Sequence, residues 1–79
     1  MKPNKRFTSI SAQEKQFLQH MVEHHQMAVV MSKDILKTTD DTEIMSLAYS
    51  ILLTQINEIS MMKEMIRQRP VRSPNERKE

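Results

Sequence analysis

The chain of 79 residues contains no cysteine, no glycine and no tryptophan, and only two Phe and one Tyr. The absence of cysteine excludes disulfides, thiolate metal sites and thiol nucleophiles. The absence of glycine excludes the Gly-rich phosphate loops of nucleotide-binding proteins and removes the favoured residue of tight β-hairpins. No apolar run approaches the ~20 residues that a membrane span needs. The basic start of the chain has no apolar stretch behind it, so no signal peptide is predicted and a cytoplasmic location is expected for the chain as given.

The residues that are present favour helices. Met, Leu, Ile, Gln, Glu and Lys are all good or acceptable helix formers, and eight residues are methionine. A chain this short rarely buries enough apolar surface to be stable alone, and it usually relies on a disulfide, a metal or a second copy. With disulfides excluded, a metal or self-association is expected.

The net charge of +2 is unevenly distributed along the chain. Residues 1–11 carry three basic side chains, residues 12–62 carry seven acidic side chains against three lysines, and residues 63–79 carry six basic against three acidic. The middle is therefore acidic and the high pI comes from the ends. This pattern gives little support to nucleic-acid binding, which would show itself by a steep salt dependence.

Capping signals divide the chain into two predicted helices. Ser11 and Glu14 match a capping box, in which each side chain binds the main-chain N–H of the other residue. The first helix is predicted over residues 12–37. Residues 38–42 interrupt it with side chains that favour turns, and Asp40 is the predicted cap of a second helix over residues 41–67, which ends before Pro70. The predicted organisation is a flexible basic arm over 1–10, a helical hairpin domain over 11–69 and a disordered basic tail over 70–79.

Two apolar rows run along the first predicted helix, about 100° apart. The first row contains Phe17, Met21, His24, Ala28, Met31 and Ile35, and the second contains Leu18, Val22, His25, Val29 and Leu36. A matching row on the second helix contains Ile44, Ile51, Gln55, Glu58, Met62 and Met65. The first row is predicted to face the second helix. Because one partner helix cannot cover both rows, the fold expected is an all-α antiparallel hairpin that dimerises into a four-helix bundle.

Polar residues interrupt these rows at one level. A turn centred near residue 40 would place His24 opposite Gln55 and Met21 opposite Glu58, with His20 near Glu58. Buried polar groups without partners cost a few kcal/mol each. Two interpretations remain open here: a buried hydrogen-bond network that fixes the register of the helices, or a ligand site in which Gln55 and Glu58 orient histidine.

Histidine and methionine also share one stripe of the first helix. His20, His24, Met27 and Met31 fall within about 60° of one another on a helical wheel. Thioethers select soft ions such as Cu(I) and Ag(I), whereas zinc and iron favour harder donors or thiolates. The same spacing is also compatible with methionine as an adaptable core residue. The stripe therefore predicts either a soft-metal surface or simple packing.

These residues carry a resemblance to a known family. The first helix resembles the pattern F-x-x-x-M-x-x-H-H-x-x-A-x-x-M, and the second resembles L-A-x-x-I-x-x-x-Q-x-x-E-I-x-x-M. The pattern is that of the domain of unknown function 305 family, of the ferritin-like group, and the match spans about residues 14–66. The resemblance implies a hairpin that builds a four-helix bundle, and some members are copper-binding, copper-resistance proteins of the periplasm or cell exterior. Members often carry tryptophan where this chain has Met65.

The hypothesis drawn from residues and resemblance together is a module that binds Cu(I) or Ag(I) for sequestration or transfer, without enzymatic activity. Its candidate ligands are His20, Met21, His24, His25, Met27, Met31 and Met62, with Gln55 and Glu58 beside them. Among these, Met21, His24, His25, Met31 and Met62 match the family pattern by position. The alternative is a structural homodimer or adaptor bundle with a buried His-Gln-Glu network and no metal. The compartment is left open, because members of the family are usually exported.

Overall fold

A computed structural model describes residues 8–73 of the chain, and it shows two long helices packed against each other as a hairpin. Helix α1 spans Ala12–Thr38 and helix α2 spans Thr42–Gln68. The three residues between them leave room only for an antiparallel return. The predicted helices, 12–37 and 41–67, are confirmed to within one residue at each end. Within residues 8–73 neither helix is both long and apolar enough to cross a membrane.

Side-chain caps fix where each helix begins. The Ser11 hydroxyl accepts a hydrogen bond from the Glu14 N–H at 3.0 Å, and the Glu14 carboxylate accepts one from the Ser11 N–H at 2.8 Å, which confirms the predicted capping box. At α2 the cap is Asp41, whose Oδ1 accepts from the Ile44 N–H at 3.0 Å. The prediction of Asp40 was wrong by one residue, because α2 starts at Thr42 and the residue directly before it, Asp41, has the extended backbone and the capping side chain.

The end of α2 agrees with the prediction that this helix stops before Pro70. Arg69 is the C-cap and Pro70 follows it directly. The Arg67 guanidinium donates to Glu64 at 2.7 Å, and this hydrogen bond raises the pKa of Arg67. Arg67 therefore stays protonated in the last turn of α2, near the negative end of the helix dipole, with the Glu64 carboxylate beside it.

The row of α1 that packs against α2 is the second apolar row. Leu18 and Val22 are buried, and His25, Val29 and Leu36 of the same row are partly buried. The prediction that the Phe17 row faces α2 was therefore wrong. Leucine and valine pack well against a neighbouring helix, and the Phe17 row lies to one side of the helix interface.

The core differs between the two halves of the hairpin. The terminal half (residues 8–27 and 55–73) buries Ile10, Leu18 and Val22, whereas the turn half (residues 28–54) buries only the small residues Ser32 and Ala48. Large apolar side chains in the turn half stay exposed; they include Met31, Ile35, Ile44 and Leu47. The core of a single hairpin therefore lies mainly near its termini.

A short contact between the chain ends closes the terminal half. Ile10 and Val71 form a parallel bridge, in which the Ile10 N–H donates to the Pro70 carbonyl at 2.9 Å and the Arg72 N–H donates to the Ile10 carbonyl at 2.8 Å. We call residues 8–10 and 69–72 the terminal bridge. The predicted arm and tail thus differ from the structure at residues 8–10 and 70–73, where main-chain hydrogen bonds hold the backbone. Residues 1–7 and 74–79 lie outside the described part.

Candidate functional site

The first apolar row of α1 and the matching row of α2 lie on the same side of the hairpin, which we call the front face. Met31 and Ile35 of α1 line one groove together with Ile44, Leu47 and Ile51 of α2, so the two rows share a side. Helical spacing extends both rows towards the termini. The front face consists of Phe17, Met21, His24, Ala28, Met31 and Ile35 of α1, and of Ile44, Leu47, Ile51, Gln55, Glu58, Met62 and Met65 of α2.

The groove in the turn half of the front face has a volume of about 600 Å³ and a mostly apolar lining. Ser32 and Ala48 form its floor, and both are buried. The groove exists because small residues occupy the helix interface here while the large apolar ones stand beside it. Sequence reasoning did not find this groove; the signal was a serine and an alanine at interface positions between rows of larger residues.

The polar level in the middle of the hairpin is organised by His25 and Glu58. The His25 Nε2 lies 2.6 Å from the Glu58 Oε1, and the two side chains are 19% and 49% exposed. The predicted pairings of His24 with Gln55 and of Met21 with Glu58 do not describe this contact, since Glu58 reaches His25 instead. The predicted pairings failed because they assumed that the row with His24 faces α2. In the structure His25 belongs to the row that faces α2, whereas His24 is exposed beside it.

The stripe of His20, His24, Met27 and Met31 lies on solvent-exposed α1 surface. Both histidines are exposed, and Met27 and Met31 are 62% and 64% exposed. Met27 lies about 180° round the helix from Leu18 and so points away from α2. These thioethers therefore contribute little packing within the hairpin.

The other candidate ligands are distributed around this stripe. Met21 and Met62 are partly buried on the front face, and His25 is already paired with Glu58. Gln55 is partly buried at mid-helix. Within residues 8–73 no three His, Asp or Glu side chains gather closely enough to hold a metal among themselves. An ion held by three or more side chains of one hairpin would therefore need ligands besides these residue types.

Comparison with known proteins gives a family and one curated relative. Over 60 residues the chain is 40% identical to "Uncharacterized protein L153" of Acanthamoeba polyphaga mimivirus. The aligned part is 76% of this chain and 40% of that relative, so the chain spans less than half of the relative's length. No solved structure matches the chain. The model of the family "Domain of unknown function (DUF305)" matches residues 5–77, almost the entire chain, and the protein therefore belongs to that family.

Proposed function

We propose that this protein binds a soft monovalent ion, Cu(I) or Ag(I), through imidazole and thioether side chains of α1, and that it sequesters or transfers the ion. The observation that carries the proposal is the exposed stripe of His20, His24, Met27 and Met31. No covalent chemistry is involved, so the proposed role is binding and not catalysis.

The donor chemistry of the stripe fits such an ion. Successive members are separated by three or four residues, which puts neighbours about one helical turn, or ~5.4 Å, apart along the axis. His24 and Met27 are adjacent in this sense, and so are Met27 and Met31. Cu(I) and Ag(I) accept thioether sulfur and imidazole nitrogen, whereas a hard ion would need the oxygen ligands that the stripe lacks.

The exposure of the methionines also supports a binding role. A methionine that fills a core gains its stability from buried contacts. Met27 and Met31 have little of that burial in the hairpin. A hydrophilic residue at either position would not disturb the core of the hairpin, so core packing does not explain why methionine is present. Met21 and Met62, partly buried on the front face, are further candidate ligands, and Gln55 and Glu58 are the candidates for orienting a histidine.

The test is an anaerobic titration of the purified chain with Cu(I) against a chromophoric competitor chelator. The variants are His24→Ala and the double change Met27→Leu/Met31→Leu, which preserves side-chain volume. We expect each to lower the affinity for Cu(I) by at least about tenfold, or ~1.4 kcal/mol. Thermal unfolding of the metal-free protein should stay nearly unchanged for the Leu variants, since Met and Leu have similar volumes.

Met45→Leu is the matched control. Met45 is partly buried on the far side of the helix interface from the front face, so its replacement changes a thioether without touching the stripe. It should leave the affinity as it is. If the wild-type chain takes up no more Cu(I) than the buffer does, or if Met45→Leu loses as much affinity as the stripe variants, the proposal is wrong.

A second candidate function is a structural homodimer or adaptor without metal, and the exposed apolar groove of the front face favours it. In that case His25 and Glu58 serve as a polar contact that fixes the register of the two helices. This candidate predicts no Cu(I) uptake together with self-association, so the same purified protein distinguishes the two functions.

A further inference from the structure

We propose that two copies of this chain associate through their front faces in an antiparallel arrangement, with α1 on α1 and the turn of one copy over the terminal half of the other. The two-fold axis then passes near His24, so that both copies contribute to one shared ion site. The proposed dimer is argued from the front face and does not depend on metal binding. The shared ion site, in contrast, rests on the proposed function.

The front face has the composition of an interface. It contains no lysine or arginine, and its carboxylate Glu58 is already paired with His25, while Asp34 is a second carboxylate that lines the groove. Its turn half exposes Met31, Ile35, Ile44 and Leu47 around the groove. A chain of this length that buries so few large residues needs further apolar burial to be stable, and a second identical face supplies it.

Charge selects the antiparallel arrangement. Residues 33–43, at the turn, hold Asp34, Asp40, Asp41 and Glu43 against two lysines. Residues 63–73, at the other end, hold Lys63, Arg67, Arg69 and Arg72 against Glu64. Two hairpins aligned in parallel would place acidic turn beside acidic turn and basic end beside basic end. The antiparallel dimer instead places opposite charges together at both ends.

Shape leads to the same arrangement. In an antiparallel pair of α1 helices centred on His24, a residue seven positions before the centre meets one seven positions after it. Phe17 of one copy then lies beside Met31 of the other, where the groove begins. Phe17 is exposed in the single hairpin and would enter the groove. A parallel arrangement would instead set one groove against the other and leave both unfilled.

The same geometry makes His24 meet its own counterpart. His24 lies near the middle of α1 (Ala12–Thr38), and Gln55 lies at the middle of α2 (Thr42–Gln68). Residues near the middle stay close to the two-fold axis, and residues near the ends do not. The exposed His24 side chains of both copies therefore lie together, with Met27 about one helical turn away at the edge of the interface, and the site holds one ion for each two chains.

The first experiment measures self-association of the metal-free chain by sedimentation equilibrium at micromolar concentration. Leu47→Glu puts a charge in the groove wall, and Leu53→Glu puts the same charge on the outer surface of α2; the two leucines are 60% and 67% exposed. We expect a dimer for the wild type and for Leu53→Glu, and at least about a tenfold weaker dimer for Leu47→Glu. A monomeric wild type, or equal weakening by both changes, overturns the proposal.

The second experiment tests the relative orientation of the two copies by disulfide cross-linking. Because the chain has no native cysteine, an introduced cysteine can form a disulfide only with its counterpart in the other copy. His24→Cys should form a disulfide-linked dimer under mild oxidation, because the two positions meet at the axis. Phe17→Cys should not, because the two copies of that position lie roughly 21 Å apart along the helices at ~1.5 Å per residue. Cross-linking of Phe17→Cys and not of His24→Cys would overturn the antiparallel arrangement.

The third measurement is the stoichiometry of the Cu(I) titration. A shared site saturates at one ion for each two chains, and Leu47→Glu should weaken ion binding together with the dimer. Saturation at one ion for each chain, with Leu47→Glu unaffected, overturns the shared site while leaving the proposed function intact. A dimer that takes up no Cu(I) overturns the proposed function and leaves the antiparallel association supported.

Discussion

The two halves of the hairpin bury different kinds of side chain. The terminal half encloses Ile10, Leu18 and Val22, and the terminal bridge lies over its end. The turn half encloses only Ser32 and Ala48 and leaves its large apolar residues around an open groove. The same two helices thus form a core at one end and an uncovered apolar surface at the other. Where small residues occupy a helix interface, the larger ones beside them become available to a partner.

This difference also separates stability from binding. Substitutions in the terminal half act on the folded hairpin itself, because its buried apolar residues lie there. Substitutions around the groove act first on whatever covers it. The exposed stripe of His20, His24, Met27 and Met31 runs along α1 from one half into the other, and it belongs to neither core. The first three predictions below test whether the two halves of the hairpin differ in this way. The last prediction tests the contact of His25 with Glu58, which lies where the two halves meet.

The largest effect is expected from Leu18→Ala in the terminal half. Leu18 is buried, and truncation of a buried leucine to alanine costs about 2–5 kcal/mol. Leu53→Ala is the control, since Leu53 is exposed and its truncation should change stability by less than about 0.5 kcal/mol. Urea unfolding at one fixed protein concentration measures both. Equal losses for the two variants would contradict the placement of the core in the terminal half.

Ala48→Leu tests the turn half by filling the floor of the groove. Ala48 is buried between the helices, and additional methylenes at a packed position cost about 1–3 kcal/mol. At about 4–8 °C for each kcal/mol in a domain of this size, the melting temperature should fall measurably. Ser46→Leu adds a larger side chain on exposed α2 surface and should have little effect. A rise in melting temperature for Ala48→Leu would mean that the helices have room to accept it.

The caps at the two ends should be similar in strength. Ser11→Ala removes half of the capping box of α1, and Asp41→Ala removes the cap of α2; each should cost about 1 kcal/mol, within a range of ~0.5–2. Asp40→Ala is the control, because the Asp40 side chain does not cap α2. Circular dichroism during thermal unfolding gives the three values. A larger loss for Asp40→Ala than for Asp41→Ala would contradict the assignment of Asp41 as the cap of α2.

Local signals in the sequence were sufficient for the helices. The capping box at Ser11 and Glu14, the polar interruption after residue 37 and Pro70 are short-range features, and they fixed the helix ends to within one residue. The family resemblance rested on positions that mostly share the front face. The parallel bridge of Ile10 with Val71 was not predicted, because it joins segments that are far apart in sequence and too short to show any periodicity.

The site was harder to predict, because α1 carries two apolar rows and periodicity does not say which one meets α2. A rotation of about 100° decides whether His24 or His25 reaches Glu58. The difference comes from packing: the row with Leu18 and Val22 fills the interface, and the row with Phe17 and Met31 remains beside it. Whether the stripe binds an ion depends on donor chemistry that burial does not measure, so the ligands stay a prediction.

The smallest effect is expected at the pair of His25 and Glu58, where the two halves meet. A contact of 2.6 Å suggests a strong interaction, yet Glu58 is half exposed, and exposed ion pairs contribute only about 0.2–1 kcal/mol. A double-mutant cycle with His25→Gln and Glu58→Gln should give a coupling energy in that range, and added salt should reduce it. Association through the front face would cover Glu58 and make the coupling larger in the dimer than in the Leu47→Glu background. Equal coupling in both backgrounds would mean that Glu58 keeps its exposure and that the covered surface ends before the middle of α2.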